Sequence, residues 1–148
     1  MKILLAYDGF PHSSHALEEA AELAATGRAE VTVASVVPES DARASKAGGH
    51  RWLAPHAHQD VAVAHRYLSD RGIDAEMKIL HGDPVEELCR EARRGGYDLI
   101  VAGSRRRGTV GRLVLGTISG RLVKDAPCPV VVAGKGVAVR HEPSVPAS

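Results

Sequence analysis

The spacing of apolar residues along the chain switches repeatedly between two patterns, one typical of buried strands and one typical of amphipathic helices. Short apolar runs predict five strands, at residues 2–7, 31–37, 73–80, 98–102 and 129–133. Apolar residues three and four positions apart predict helices at residues 14–27, 56–71, 83–95 and, starting at about 112 or 117, up to 125. Residues 41–54 are polar and follow neither pattern, which is typical of a surface loop.

The regular alternation of strands and helices indicates the fold class. Each connection between strands is long enough for a crossover, so we expect a parallel sheet with helices on both faces, a three-layer α/β sandwich. In an open sheet of this kind, ligands bind at the carboxyl ends of the strands, where the strand order reverses. Two strand ends carry unusual residues: Asp8-Gly9 follows the first strand, and a Gly- and Arg-rich segment, 103–111, follows the fourth. If these strands are neighbours, both segments face one crevice.

The charge balance and the cysteine pattern exclude several classes of protein. Nineteen Lys and Arg residues stand against eighteen Asp and Glu residues, a formal charge of +1. Nucleic-acid coating or membrane binding needs a net basic face, so neither partner is expected. No apolar run approaches the ~20 residues that span a bilayer, and Asp8 interrupts the apolar start too soon for a signal peptide. Cys89 and Cys128 lack CxxC and zinc-finger spacing, so a reducing cytoplasm suits the chain best.

The segment after the fourth strand has the composition of an anion site. Its glycines allow backbone amides to approach an anion closely. Thr117 lies near the start of the last helix, where free amides and a hydroxyl favour phosphate. The consecutive arginines 105–107 add charge and forked hydrogen-bond donors. These features suit the phosphates of a nucleotide, although a surface turn with solvated arginines explains the composition equally well.

Several motifs of catalysis and metal binding are absent from the sequence. There is no GxxxxGK[ST] segment of a P-loop NTPase, and no GxGxxG follows the first strand. No GxSxG elbow or Ser/His/Asp order is present, so we expect at most slow ATP hydrolysis rather than a dedicated enzyme. The eight histidines lack zinc-like spacing, and no metal site is predicted from them.

At the glycine-rich segment the sequence resembles the universal stress protein family, over roughly residues 2–133. The resemblance is carried by an ordered set of short segments: the strand ending in Asp8-Gly9, then His81-Gly82-Asp83-Pro84, then 98–104, the glycine-rich segment itself, and finally 126–132. It implies an adenine-nucleotide-binding fold with a five-stranded parallel sheet in the order 3-2-1-4-5. We assign residues 1–134 to the domain and residues 135–148 to a flexible tail.

The family's ATP-binding pattern, G-x2-G-x9-G-[ST], is matched in part. Gly103 matches the first glycine, and Gly116-Thr117 match the closing pair at the right distance. Arg106 replaces the second glycine, and Gly108 lies in the same segment but out of register. A side chain at a glycine position can clash with a phosphate, whereas an arginine can also contact one.

By position, the resemblance assigns nucleotide contacts to four parts of the chain. These residues are Ala6, Tyr7, Asp8, Val36, Ala102, Gly103, Arg105, Arg106, Gly108, Gly116, Thr117 and Ile118. The implied cofactors are ATP and Mg²⁺, the metal being held through the phosphates. For Asp8 an alternative is open, because this residue would also cap the turn into the first helix.

Three functions follow from these assignments. The first is a stress-response protein that binds ATP between strands 1 and 4 and acts through partners. The second is a dimeric interaction module that has lost ATP because Arg106 stands at the glycine position, and the third uses another anion, such as a cyclic nucleotide. The apolar run Val130-Val131-Val132 predicts an exposed sheet edge in a monomer, so we expect a homodimer through this strand.

Overall fold

The structure, a computed structural model, describes residues 1–9, 11–38, 53–104 and 115–143. Strands and helices alternate along these residues. The elements are β1 (Lys2–Ala6), α1 (Pro11–Gly27), β2 (Glu30–Val37), α2 (Leu53–Ser69), β3 (Ala75–His81), α3 (Pro84–Gly95), β4 (Leu99–Gly103), α4 (Thr117–Asp125), β5 (Val130–Gly134) and β6 (Val137–His141). Most of the predicted loop 41–54 and of the glycine-rich segment 103–111 lies outside the described residues.

The strands form one sheet in the order β3-β2-β1-β4-β5-β6. The first five strands pair in parallel, which confirms the predicted order 3-2-1-4-5 and the α/β class. The chain runs outward from β1 through β2 to β3 and then crosses to β4 on the other side of β1. The strand order therefore reverses between β1 and β4, where the sequence predicts a crevice.

The sheet separates two apolar cores, and β1 contributes to both. Ile3 and Leu5 pack into the core formed with α1 and α2, whereas Leu4 packs into the core formed with α3 and α4. This alternation follows from the pleat, since successive side chains of a strand point to opposite faces. Within the described residues, no helix is long and apolar enough to cross a membrane.

The structure corrects the prediction for the C-terminal segment. Residues 137–141, predicted as part of a flexible tail, form β6, which pairs antiparallel with β5 from Val130↔His141 to Gly134↔Val137. Lys135 and Gly136 make the two-residue turn between them, and Gly136 has a φ of +70°. A two-residue connection of this kind is typical of a β-hairpin.

The presence of β6 removes the basis for the predicted homodimer interface. The sequence predicts Val130-Val131-Val132 as an exposed edge, but β6 pairs with that edge and all three valines are buried. The prediction of an exposed β5 edge was wrong because the sequence gives almost no indication of β6, a five-residue strand between a Gly-Lys-Gly segment and a Pro- and Ser-containing end. A homodimer through β5 would require β6 to leave that position.

Candidate functional site

A cavity of about 730 Å³ lies at the carboxyl ends of β1, β2 and β4, beside the point where the strand order reverses. Its volume falls within the range of roughly 300–1,000 Å³ that is typical of small-molecule sites. Both faces of the sheet contribute to its walls. The lining residues are Ala6, Tyr7, Asp8, Gly9, His12, Ser13, Ala34, Ser35, Val36, Val37, Pro38, His56, Ala57, Asp60, Pro84, Leu88, Ala102, Gly103, Gly116, Ile118 and Ser119.

The structure brings together eight of the twelve residues predicted to contact a nucleotide. The eight that line the cavity are Ala6, Tyr7, Asp8, Val36, Ala102, Gly103, Gly116 and Ile118. Thr117, the first residue of α4, is exposed and is not part of the wall. Arg105, Arg106 and Gly108 lie outside the described residues. The predicted role of all twelve residues as nucleotide contacts stays a prediction.

One wall of the cavity is apolar. Ala6 and Val36, at the ends of β1 and β2, pack against the core that contains Leu88 and Ala102. Pro84, the first residue of α3, continues this wall. Small and aliphatic side chains in this arrangement can hold a flat aromatic ring, such as a nucleotide base, by van der Waals contact.

A second wall is the first turn of α4. Gly116 precedes the helix in an extended conformation, and its backbone N–H donates to the Ser119 hydroxyl at 2.8 Å. Ser119 is buried, so this contact fixes the entry into the helix. The first backbone amides of a helix have no intrahelical acceptor and carry partial positive charge. The backbone amides at the start of α4, next to the wall residues Gly116 and Ile118, can therefore bind an anionic group, such as a phosphate.

Gly103, which matches the first glycine of the ATP pattern, has a packing reason to lack a side chain. A Cβ built on Gly103 would lie 2.2 Å from the carbonyl oxygen of His12, in the first turn of α1. Because that atom belongs to the backbone, it cannot move aside without displacing α1. Glycine at this position therefore lets the start of α1 lie directly against the end of β4.

Asp8 joins the end of β1 to the start of α1. Its Oδ1 accepts a hydrogen bond from the Ser13 hydroxyl at 2.5 Å, and its Oδ2 lies 3.0 Å from Nε2 of His12. The backbone N–H of Asp8 in turn donates to the Ser13 hydroxyl at 3.2 Å. Asp8 thus contacts side chains in the first turn of α1 and also lines the cavity, and both of its expected roles stay predictions.

The wall contains polar residues that no sequence motif indicates, among them His56 and Asp60 of α2. The carboxylate of Asp60 lies so close to Gly9 that a Cβ built on Gly9 would be 2.4 Å from Asp60 Oδ1. Gly9 also has a φ of +80°, which disfavours any side chain there. The sequence contains one indication that Asp60 points inward: it lies next to Ala57, Val61 and Ala64, which form the buried face of α2.

Asp8, Asp60 and His56 bring both signs of charge to this end of the cavity. Burial raises the pKa of Asp60, and His56 lowers it by more than the nearby Asp8 charge raises it. Burial also raises the pKa of the Tyr7 hydroxyl, and the charges of Asp60 and Asp8 add to that effect. Both shifts come chiefly from burial, which disfavours the charged form of each group.

An ion pair connects the two helices that begin at the cavity. Arg121 of α4 donates to both carboxylate oxygens of Asp83, at 3.2 and 3.0 Å. Asp83 caps α3 by accepting from the backbone N–H of Glu86 at 2.9 Å. The hydrogen bond from Arg121 lowers the pKa of Asp83, with a further contribution from Glu86 N–H. The first turns of α3 and α4 are thereby held in a fixed relation.

Within ranges 1–9, 11–38, 53–104 and 115–143, no group of three or more His, Cys, Asp or Glu residues is placed to hold a metal ion.

Comparisons with known proteins agree on one family. Residues 1–134 match the model of the universal stress protein family. The stress response protein NhaX of Bacillus subtilis is 29% identical over 159 residues, covering 88% of this chain and 96% of NhaX. A universal stress protein of Thermus aquaticus is 34% identical over 152 residues, covering 88% of this chain and 96% of that protein.

The solved structures give the same answer for the fold. The universal stress protein UspA of Lactobacillus plantarum superimposes with a TM-score of 0.77 at 24% identity, covering 90% of this chain and 97% of that one. A universal stress protein family member from Burkholderia pseudomallei is 28% identical with a TM-score of 0.65, covering 88% and 93%. Since the family model also spans nearly the whole chain, this protein belongs to the universal stress protein family.

Proposed function

We propose that this protein binds an adenine nucleotide, with ATP as the first choice, in the cavity between β1 and β4. Through nucleotide-dependent contacts with partners it acts in the cytoplasmic stress response. The observation that carries the proposal is the combination, in one cavity of about 730 Å³, of an apolar wall and a helix N-terminus. The apolar wall suits a base, and the first turn of α4 suits phosphates.

Two proteins of the same fold support the choice of an adenine nucleotide. A universal stress protein family protein from Arabidopsis thaliana has been solved with AMP bound, and it superimposes on this chain with a TM-score of 0.65 at 22% identity. Another universal stress protein has been solved in complex with cAMP, with a TM-score of 0.65 at 20% identity. Because of the cAMP complex, a cyclic nucleotide is the alternative ligand that we propose for this chain.

In the proposed complex, Mg²⁺ accompanies ATP and is held through the phosphates. The mechanism is binding rather than turnover: the α4 first turn holds the phosphates, and the apolar wall holds the base. Since the lining residues come from α1, α2, α3 and α4, occupancy of the cavity would affect all four helices.

The proposal is tested by calorimetric titration with ATP and Mg²⁺ of the wild-type protein and of Thr117→Glu. Thr117 is the exposed first residue of α4, where a carboxylate stabilises the helix dipole but repels a phosphate. We expect micromolar binding by the wild type, loss of binding in Thr117→Glu, and an unfolding temperature of that variant that is no lower than that of the wild type. The control is Val63→Glu, which adds the same charge at an exposed position of α2.

The variant Arg106→Gly separates the proposal from the interaction-module alternative. Binding of ATP by Arg106→Gly but not by the wild type would show that this one side chain closes the site. Absence of binding to ATP and to cAMP by both proteins would refute nucleotide binding altogether. Homodimerisation also belongs to the proposal, and because β6 covers β5, an interface at β5 would need β6 to be displaced.

A further inference from the structure

The two carboxylates in the cavity wall differ in how their oxygens are used. Both oxygens of Asp8 are engaged within the protein, by the Ser13 hydroxyl and by Nε2 of His12. No hydrogen bond joins the carboxylate of Asp60 to any residue within the described ranges. Asp60 is nevertheless partly buried and lines the cavity.

The position of Asp60 is unfavourable for an ionised carboxylate in the absence of a ligand. Burial removes water from the group, and Asp8 contributes repulsion of the same sign. His56, one helical turn earlier on α2, lowers the pKa of Asp60 by more than Asp8 raises it, so burial is what leaves the pKa raised. Asp60 is only partly buried, so its carboxylate stays open to a group that enters the cavity. Titratable groups whose pKa is shifted in a cleft are common where a ligand is bound.

The fold determines which part of a nucleotide could reach Asp60. α2 packs with α1 on one face of the sheet, whereas α4 packs with α3 on the other. A phosphate bound at the first turn of α4 is therefore on the other side of the sheet edge from Asp60. The negative charge of Asp60 also disfavours contact with phosphate. The groups left to meet Asp60 are the hydrogen-bond donors of the nucleoside.

We propose that Asp60 accepts a hydrogen bond from the nucleoside part of the bound nucleotide, either from a ribose hydroxyl or from the amino group of the base. The assignment rests on the proposed nucleotide binding and makes Asp60 a residue that determines ligand specificity. Asp60 is kept close to the cavity by Gly9, which leaves the space that a side chain would fill. The helix α2 thus adds a contact that the ATP pattern of the sequence does not contain.

The experiment compares four nucleotides on the wild type and on Asp60→Ala, by calorimetric titration in the presence of Mg²⁺. The nucleotides are ATP, 2′-deoxy-ATP, 3′-deoxy-ATP and ITP, which lacks the amino group of the base. Alanine is well tolerated within a helix, so the variant is expected to fold. Asp70→Ala serves as the control, because it removes the same charge at an exposed position just beyond α2.

For Asp60→Ala we expect ATP affinity to fall by roughly 10- to 100-fold, the effect of losing a hydrogen bond to a charged group. One nucleotide, the one that lacks the donor facing Asp60, should bind equally to the wild type and to the variant. An equal loss for all four nucleotides, or no loss for any, would overturn the assignment. Failure of the wild type to bind any of them would instead refute nucleotide binding itself, and the assignment with it.

Discussion

Replacement of Gly103 by alanine tests whether the first glycine of the ATP pattern is needed by the fold as well as by a ligand. The added Cβ would lie 2.2 Å from the carbonyl oxygen of His12. Carbon and oxygen atoms that are not bonded to each other stay more than 3 Å apart, so α1 or β4 must shift by about 1 Å. Both elements line the cavity, and the shift would therefore distort the site.

The expected loss of stability for Gly103→Ala is large for a single methyl group. Overpacking against a backbone atom belongs at the upper end of the usual range, about 3 kcal/mol. For a protein of this size, that loss lowers the unfolding temperature by roughly 6–12 °C. The measurement is thermal unfolding followed by circular dichroism, without nucleotide.

Gly120→Ala is the matched control for Gly103→Ala. Gly120 lies inside α4, and a Cβ there would be 3.9 Å from its nearest neighbour, the Cβ of Leu115. Alanine is favoured over glycine inside a helix by up to about 1 kcal/mol, so this variant should be slightly more stable than the wild type. An unfolding temperature of Gly103→Ala within about 2 °C of that of the wild type would show that the close approach of α1 to β4 does not exclude a side chain at this position.

Three further predictions concern Asp60, the ion pair and the covered sheet edge. The raised pKa of Asp60 means that its ionisation opposes folding. In urea unfolding without ligand, Asp60→Asn should therefore be as stable as the wild type below about pH 3.8 and more stable than the wild type at pH 7. An equal or lower stability of the variant at pH 7 would contradict this prediction. The ion pair of Arg121 with Asp83 should contribute a small stabilisation that is present above the ordinary pKa of Asp83 and disappears as the pH falls through the lowered pKa. Arg121→Gln should lose this stabilisation, as measured by urea unfolding at a series of pH values. A loss of stability that does not depend on pH would refute the prediction. A chain that ends at Gly134 lacks β6 and leaves the backbone N–H and C=O groups along one edge of β5 without partners from that strand, so light scattering should show self-association. A truncated chain that stays monomeric would show that this edge does not associate.

The sheet could be predicted from the sequence because its strands are defined locally. Short apolar runs that are buried on both faces form β1, β2, β4 and β5. In the helices between them, apolar residues recur three and four positions apart. The Asp83-Pro84 start of α3 was equally clear, since Asp83 accepts from the Glu86 amide and Pro84 occupies the first helical position. Such signals depend on neighbouring residues alone.

The features that were missed depend on contacts between distant parts of the chain. Asp60 reaches the cavity only because α2 docks at the carboxyl end of β2, and the polar segment 41–54 gives no indication of that register. β6 exists because the Lys135-Gly136 turn returns the chain to β5, where the partner strand supplies the hydrogen bonds. Gly103 was selected for its place in a motif, and its packing against His12 became visible only in the structure.

The alternation of side chains along β1 makes the cavity a junction between the two cores. Tyr7 belongs to the core beneath α1 and α2, while Ala6, its neighbour in the chain, packs against the core beneath α3 and α4. A ligand that touches both residues would raise the free energy of opening of both layers together, by about 2.7 kcal/mol at a concentration 100 times its Kd. Amide hydrogen exchange would then slow on both faces of the sheet at once, so that the two cores open as a single cooperative unit.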